Sequence, residues 1–158
     1  MKKVLFVCLG NICRSTMAEG VFKHLVKNAG LENEIFADSC GTANYHVGDN
    51  PDRRTMQTLE KYGITYQHKG RQVSQIDFET FDLILAMDNQ NFADLQKLAK
   101  QNSNYLNKVF LMRDFDEGFE GSSVPDPYYG TMNDFEEVYA QVTRASQKIL
   151  QNIVDKLI

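Results

Sequence analysis

Apolar positions along this chain follow two rhythms that alternate. Short runs, nearly continuous in Val, Ile, Leu and Phe, cover residues 3–7, 34–37, 81–86 and 108–112. Runs of that kind suit strands covered on both faces. Between them the spacing turns helical. Over residues 15–28, Met17, Val21 and Leu25 recur every fourth position, and Gly30 lies just beyond as a stop signal. Residues 51–62 open with Pro51 in a first-turn position and end at Gly63. A third helix is expected from 88 or 89 to 100. A long last one, over 134–156, carries Phe135, Val138, Val142, Ala145, Ile149 and Ile153 on one stripe. Strand and helix in alternation predict right-handed βαβ crossovers. The expected fold is α/β, a single domain over residues 1–158 with a four-stranded parallel sheet and helices on both faces. No internal repeat, low-complexity tract or linker interrupts it. In such sheets ligands gather at the carboxyl ends of the strands, beside the switch in strand order. Residues 8–15 follow the first strand and fall at such an end.

Composition narrows the setting. A chain of 158 residues buries a core without disulfide or metal staples. Its formal charge of −4, with no long Lys/Arg run, argues against nucleic acid as a partner. The apolar stretch after Lys2 and Lys3 stops by Leu9, too short for a signal-peptide core or a membrane span. The expectation is a cytoplasmic protein with no membrane contact. Cys8, Cys13 and Cys40 form an odd set without paired zinc spacing, so they are read as thiols in a reducing compartment.

The segment after the first strand, Cys8-Leu9-Gly10-Asn11-Ile12-Cys13-Arg14-Ser15, has the makings of a phosphate-binding loop. Gly10 opens backbone angles closed to other residues, and Asn11 tolerates a left-handed conformation. With a helix starting near Arg14 or Ser15, successive amides can form an anion nest at the positive end of the helix dipole. The lysine-bearing nucleotide loop pattern is missing. Arg14 stands instead, and a guanidinium grips two phosphate oxygens at once. A free thiol titrates near pH 8.5, and this surrounding favours the thiolate of Cys8. Ser15 is placed to donate its hydroxyl to that sulfur. An arbitrary cysteine at a strand end is most often a small buried hydrophobe; the Arg, the hydroxyl and the Gly-Asn pair favour a nucleophile here.

A phosphate ester also needs an acid for its leaving oxygen. Asp38 and Asp88 both follow strands, but Asp88 precedes a helical segment and reads as an N-cap. Asp114 and Asp116 read as a solvated acidic loop. Asp126, between Pro125 and Pro127, reads on pattern alone as a turn residue, and His68 as a surface histidine.

The loop resembles the C-x5-R-[ST] signature of the low-molecular-weight protein tyrosine phosphatases. Further agreement comes from "MAE" at 17–19, "DSCGT" at 38–42, "HVG" followed by "NPDRR", "FDLILAMDNQN" at 81–91 and "DPYYG" at 126–130. The likeness covers essentially the whole chain. It implies that Cys8 takes the phosphoryl group, that Arg14 and the loop Leu9, Gly10, Asn11, Ile12 and Cys13 hold it, and that Asp126 is general acid and then base. Asn11, Ser15, Ser39 and His68 would brace the loop. Tyr45, Tyr128 and Tyr129 would wall the entrance, the last two being tyrosine-phosphorylated in some relatives. Cys13 would form a reversible disulfide with the nucleophile, and Cys40 would be buried and inert. The implied substrates are phosphotyrosine-containing proteins and small aryl phosphates, with inorganic phosphate as product, no metal and no cofactor. A monomer or weak dimer is expected.

Thr16 departs from the proline most relatives carry. Three rival functions are weaker. Arsenate reductases on this fold relay a disulfide through two later cysteines, and none follows Cys40. Phosphoarginine phosphatases typically carry Thr where this chain has Ile12. A non-catalytic phosphoprotein-binding module would need neither Cys8 nor Asp126.

Overall fold

Both sides of the first strand are buried, and the rest of the molecule is arranged around that strand. The computed structural model describes all of residues 1–158. Strands β1 (Lys2–Cys8), β2 (Ile35–Gly41), β3 (Leu83–Ala86) and β4 (Val109–Leu111) form one sheet in the order β2-β1-β3-β4. Every pairing is parallel, with β1 matched from Lys2 against Ile35 to Cys8 against Gly41, and from Val4 against Leu83 to Val7 against Ala86.

Alternation along β1 separates two cores. Val4, Phe6 and Cys8 face helices α1 (Arg14–Asn28), α2 (Arg53–Lys61) and α6 (Met132–Val154). Leu5 and Val7 face α3 (Ile76–Thr80), α4 (Asn89–Ala99) and α5 (Ser103–Leu106). The chain leaves β1 toward β2 on one side and later returns to β3 on the other. The switch point therefore lies between β1 and β3, whose carboxyl ends deliver Cys8 and Asp88. No helix is long and apolar enough to cross a membrane.

The four strands and four long helices lie where the pattern predicts them, with shifted ends. β2 continues through Asp38 and Ser39 to Gly41, beyond the apolar run, because its backbone stays in register with β1. β3 begins at Leu83, since Phe81 closes α3. Asp52 starts α2 by accepting the amide of Arg54 at 2.8 Å, leaving Pro51 outside the helix. Helices α3 and α5 span five and four residues, too short for a 3.6-residue period to show.

The expectation for Asp116 is overturned. Asp116 is not a solvated loop residue: it is 1% exposed and accepts hydrogen bonds from Arg113 and Arg144. A buried carboxylate needs such partners, and Arg144 comes from α6, 28 positions away, where no local pattern points to it. Asp114 is exposed as expected.

Candidate active site

At the end of β1 the backbone turns sharply through Asn11, whose φ of 58° is left-handed. That turn aims the Asn11 amide at the Cys8 sulfur, 3.3 Å away. Ser15, in the first turn of α1, puts its hydroxyl 3.1 Å from the same sulfur. The Asn11 side chain fixes the direction of these bonds. Its Nδ2 donates to Ser15 Oγ at 2.8 Å and Ser39 Oγ at 2.9 Å. Its Oδ1 accepts from His68 Nε2 at 2.8 Å and the Arg71 amide at 3.1 Å. With Ser15 Oγ already accepting from Asn11, its own proton is free for the sulfur. Ser39 spends its proton on Glu19 Oε1 at 2.7 Å.

Arg14 is 3% exposed. Its Nη1 donates to Asp88 Oδ2 at 2.7 Å and to the Val124 carbonyl at 3.0 Å, while Nη2 lies 3.9 Å from Asp126 Oδ2. Burial opposes the guanidinium charge, but Cys8, Asp88 and Asp126 outweigh it and raise its pKa above the ordinary value. Asp126 is held at the rim by a local turn, its Oδ1 accepting the Tyr128 amide at 3.1 Å.

These groups converge on a cleft of about 170 Å³. Cys8, Cys13 and Arg14, all buried, lie at its base, with Leu9, Gly10, Ile12, Tyr45, His46, Asp126, Tyr128 and Tyr129 around them. Tyr45 and Tyr129 are exposed, and the rings of Tyr128 and Tyr129 stack at 4.9 Å. Arg54 steadies that wall by donating to the Tyr128 carbonyl at 2.9 Å.

The site residues implied by the family resemblance all line the cleft or lie in the network beneath it. His68 is not a surface histidine: its side chain is 8% exposed and lies inside that network. Asp88 caps α4 through Oδ1, as its position predicts, but its second oxygen holds Arg14, which the N-cap pattern conceals. Glu19 is the clearest omission. It is buried, accepts from Ser39 and from Tyr66 Oη at 2.7 Å each, and lies 3.3 Å from His68 Nδ1. An acid amid Ala18, Val21 and Phe22 on an apolar helix face was the available signal. His46 lines the cleft; the sequence shows it only as the first residue of the "HVG" stretch, with no role attached.

Cys13 lies at the helix start, and burial, then the negative charge of Asp52, pushes its thiol pKa up. Its carbonyl accepts hydroxyl protons from Thr16 at 3.1 Å and Thr55 at 3.2 Å. Thr16 thus substitutes a side-chain tether for the rigidity a proline would supply. Cys40 is fully buried, and desolvation raises its thiol well above the usual range, in keeping with an inert role. Glu19, Asp38 and His68 approach within 4.8 Å of one another, a spacing a cation could use. Their atoms are instead engaged by Ser39, Tyr66, Asn11 and Arg71, and the Lys23 ammonium stands 2.6 Å from Glu19 Oε2. The cluster fits a brace better than a metal centre.

The family model described as low molecular weight phosphotyrosine protein phosphatase matches residues 3–157. The chain belongs to that family. A low molecular weight phosphotyrosine protein phosphatase of Gallus gallus is 44% identical over 151 residues, covering 96% of this chain and 95% of the relative. A crystal structure of a protein tyrosine phosphatase from Entamoeba histolytica superposes with a TM-score of 0.94 at 36% identity, covering all of both chains. A Drosophila arginine phosphatase superposes at 0.89 with 37% identity, covering 97% of this chain and 98% of that one. Membership in the low molecular weight phosphatases makes this chain a phosphatase with a cysteine-dependent mechanism.

Proposed function

We propose that this phosphatase hydrolyses phosphotyrosine in proteins, and small aryl phosphates, through a cysteinyl-phosphate intermediate. The observation that carries the reading is the convergence of Cys8, Arg14 and Asp126 on one narrow cleft with aromatic walls. In the first step the Cys8 thiolate forms an S–P bond as the P–O bond to the phenol breaks. The Asp126 carboxyl gives its proton to the departing oxygen. In the second, water attacks phosphorus, its proton passes to Asp126, the S–P bond breaks and inorganic phosphate leaves. Arg14 has Nη1 committed to Asp88 and Val124, so its Nε and Nη2 edge serves the phosphate oxygens. The Asn11 amide and the Ser15 hydroxyl stabilise negative charge on sulfur at both ends of the cycle.

Substrate class follows from the walls. Ile12, Tyr45, Tyr128 and Tyr129 offer apolar and aromatic surface suited to a phenyl ring. The second reading is phosphoarginine hydrolysis, favoured by the likeness to the Drosophila arginine phosphatase. Both belong to one assay: release of phosphate from a phosphotyrosine peptide and from phosphoarginine by wild type, Cys8→Ser and Asp126→Asn. Turnover of the peptide by wild type alone is expected. Preference for phosphoarginine would reverse the substrate assignment, and full turnover by Cys8→Ser would refute the mechanism.

Cys13 completes the reading as a redox guard. Peroxide converts Cys8 to a sulfenic acid, which condenses with the Cys13 thiol to a disulfide and water. Its support is that both thiols border one short loop and one cleft. Three unpaired thiols also support a cytoplasmic setting, with the enzyme working as a monomer or weak dimer.

A further inference from the structure

The loop that carries Asp126 is held from behind by a charged cluster outside the cleft. Asp116 accepts Arg113 Nε at 3.0 Å, Arg144 Nε at 2.9 Å and Arg144 Nη2 at 3.0 Å. Burial opposes the carboxylate, yet the two guanidiniums hold its pKa below the usual range. Phe119 lies under both, its ring centre 4.5 Å from the Arg113 guanidinium carbon and 5.7 Å from that of Arg144. So fixed, Arg113 has a free nitrogen, and Nη1 donates to the carbonyl of Ser123 at 3.2 Å. The next residue, Val124, is fully buried. Its amide donates to Met87 at 2.7 Å and its carbonyl accepts from Arg14 at 3.0 Å. Only Pro125 then separates this anchored pair from Asp126, and Pro127 follows, so the two prolines leave the linkage little backbone freedom.

We propose that Arg113, oriented by Asp116 and Arg144, is a positioning residue for Asp126: by holding the Ser123 carbonyl it sets where the acid stands relative to Cys8. The inference rests on the reading of Asp126 as general acid. Asp126 has no comparable brace of its own, being exposed and tied only by its turn to Tyr128 and a 3.9 Å approach to Arg14. Precision at its carboxyl therefore comes from residues 123 and 124. Arg113 touches neither substrate nor sulfur, so its loss acts on proton delivery and not on attack.

That distinction is measurable. Let the readout be the ratio of kcat/KM for phosphotyrosine, whose phenol leaves with a proton, to kcat/KM for 2,4-dinitrophenyl phosphate, whose phenol leaves without one. General acid catalysis is worth roughly 10²–10⁴-fold, and displacement of a positioned group by about 1 Å costs up to about 10²-fold. Arg113→Met is expected to lower the ratio about tenfold on that scale. Arg113→Lys should lower it as well, because an ammonium can face Asp116 but lacks the forked reach to Ser123. It also serves if the methionine variant fails to fold. General destabilisation would depress both esters alike and leave the ratio where it was.

The decisive arm combines changes. In an Asp126→Asn background, where no acid remains to be placed, adding Arg113→Met or Arg113→Lys should alter the ratio by less than about twofold. The same drop in both backgrounds, or an unaltered ratio in both single Arg113 variants, overturns the inference alone. An Asp126→Asn enzyme with the wild-type ratio overturns the acid reading and the inference with it.

Discussion

Replacing Asn11 isolates the energetic centre of the loop. The side chain makes four hydrogen bonds, to Ser15, Ser39, His68 and the Arg71 amide, and its backbone is left-handed at φ 58°. At about 1 kcal/mol net for each bond, Asn11→Ala forfeits about 4 kcal/mol. Alanine also tolerates the left-handed region poorly, which adds about 1 kcal/mol. A total near 5 kcal/mol is a large part of the 5–15 kcal/mol typical of a domain. For a chain of this length it corresponds to a Tm lower by about 10–20 °C. Asn11→Gly separates the two contributions. It loses the same four bonds but not the backbone strain, and glycine's extra freedom when unfolded offsets part of that advantage. The glycine variant should therefore be the more stable by about 0.5–1 kcal/mol, the reverse of the usual order. Urea unfolding of the three proteins, read by circular dichroism, measures both gaps. An alanine variant as stable as the glycine one would refute the backbone contribution, and losses below about 1 kcal/mol in both would refute the assignment of Asn11 as the node.

Other expectations test the surroundings. Thr16→Pro removes the hydroxyl bond to Cys13 but also restricts the unfolded chain, so its stability should stay within about 1 kcal/mol of wild type by urea titration, with activity retained. Peroxide inactivation should be reversed by added thiol in wild type and markedly less so in Cys13→Ser; equal recovery of activity would remove the guard role. Asp116 has a depressed folded-state pKa, so its contribution is complete above the unfolded value of about 3.9 and fades as pH falls through the lower folded value. The stability gap between wild type and Asp116→Asn, measured from pH 7 to 2.5, should stay flat to about pH 4 and then narrow.

Much of this was legible in the sequence because strands buried on both faces and helices with one apolar stripe leave different periodicities. The loop was legible too, since Asn11 and Arg14 are each suited to a local task; Gly10, expected to take angles closed to other residues, has no positive φ and instead leaves room for His46, whose Cδ2 would lie 3.2 Å from a Cβ there. What escaped were partners brought together by distant segments. Asp88 reads as a cap because its neighbours form a helix; nothing near it announces Arg14, 74 positions earlier. Asp116 looks solvated until Arg144 arrives from the last helix. Glu19 is out of place on an apolar face by pattern alone, until Ser39, Tyr66 and His68 surround it. The acid role proposed for Asp126 rests on the family resemblance, because the pattern around it reads as a turn.

The buried guanidinium of Arg14 also bears on the order in which the molecule is completed during synthesis. Its segment emerges early, but its hydrogen-bond acceptors stand at Asp88 and Val124. Until those residues leave the ribosome, a positive charge at the floor of the loop has no fixed counterpart. A nascent chain ending before residue 124 can pair β1 with β2 and β3 and already offers Asp88 to Arg14, but it lacks the Val124 carbonyl. The full set of acceptors that fixes Arg14 is therefore present only once the chain has extended 110 positions past it.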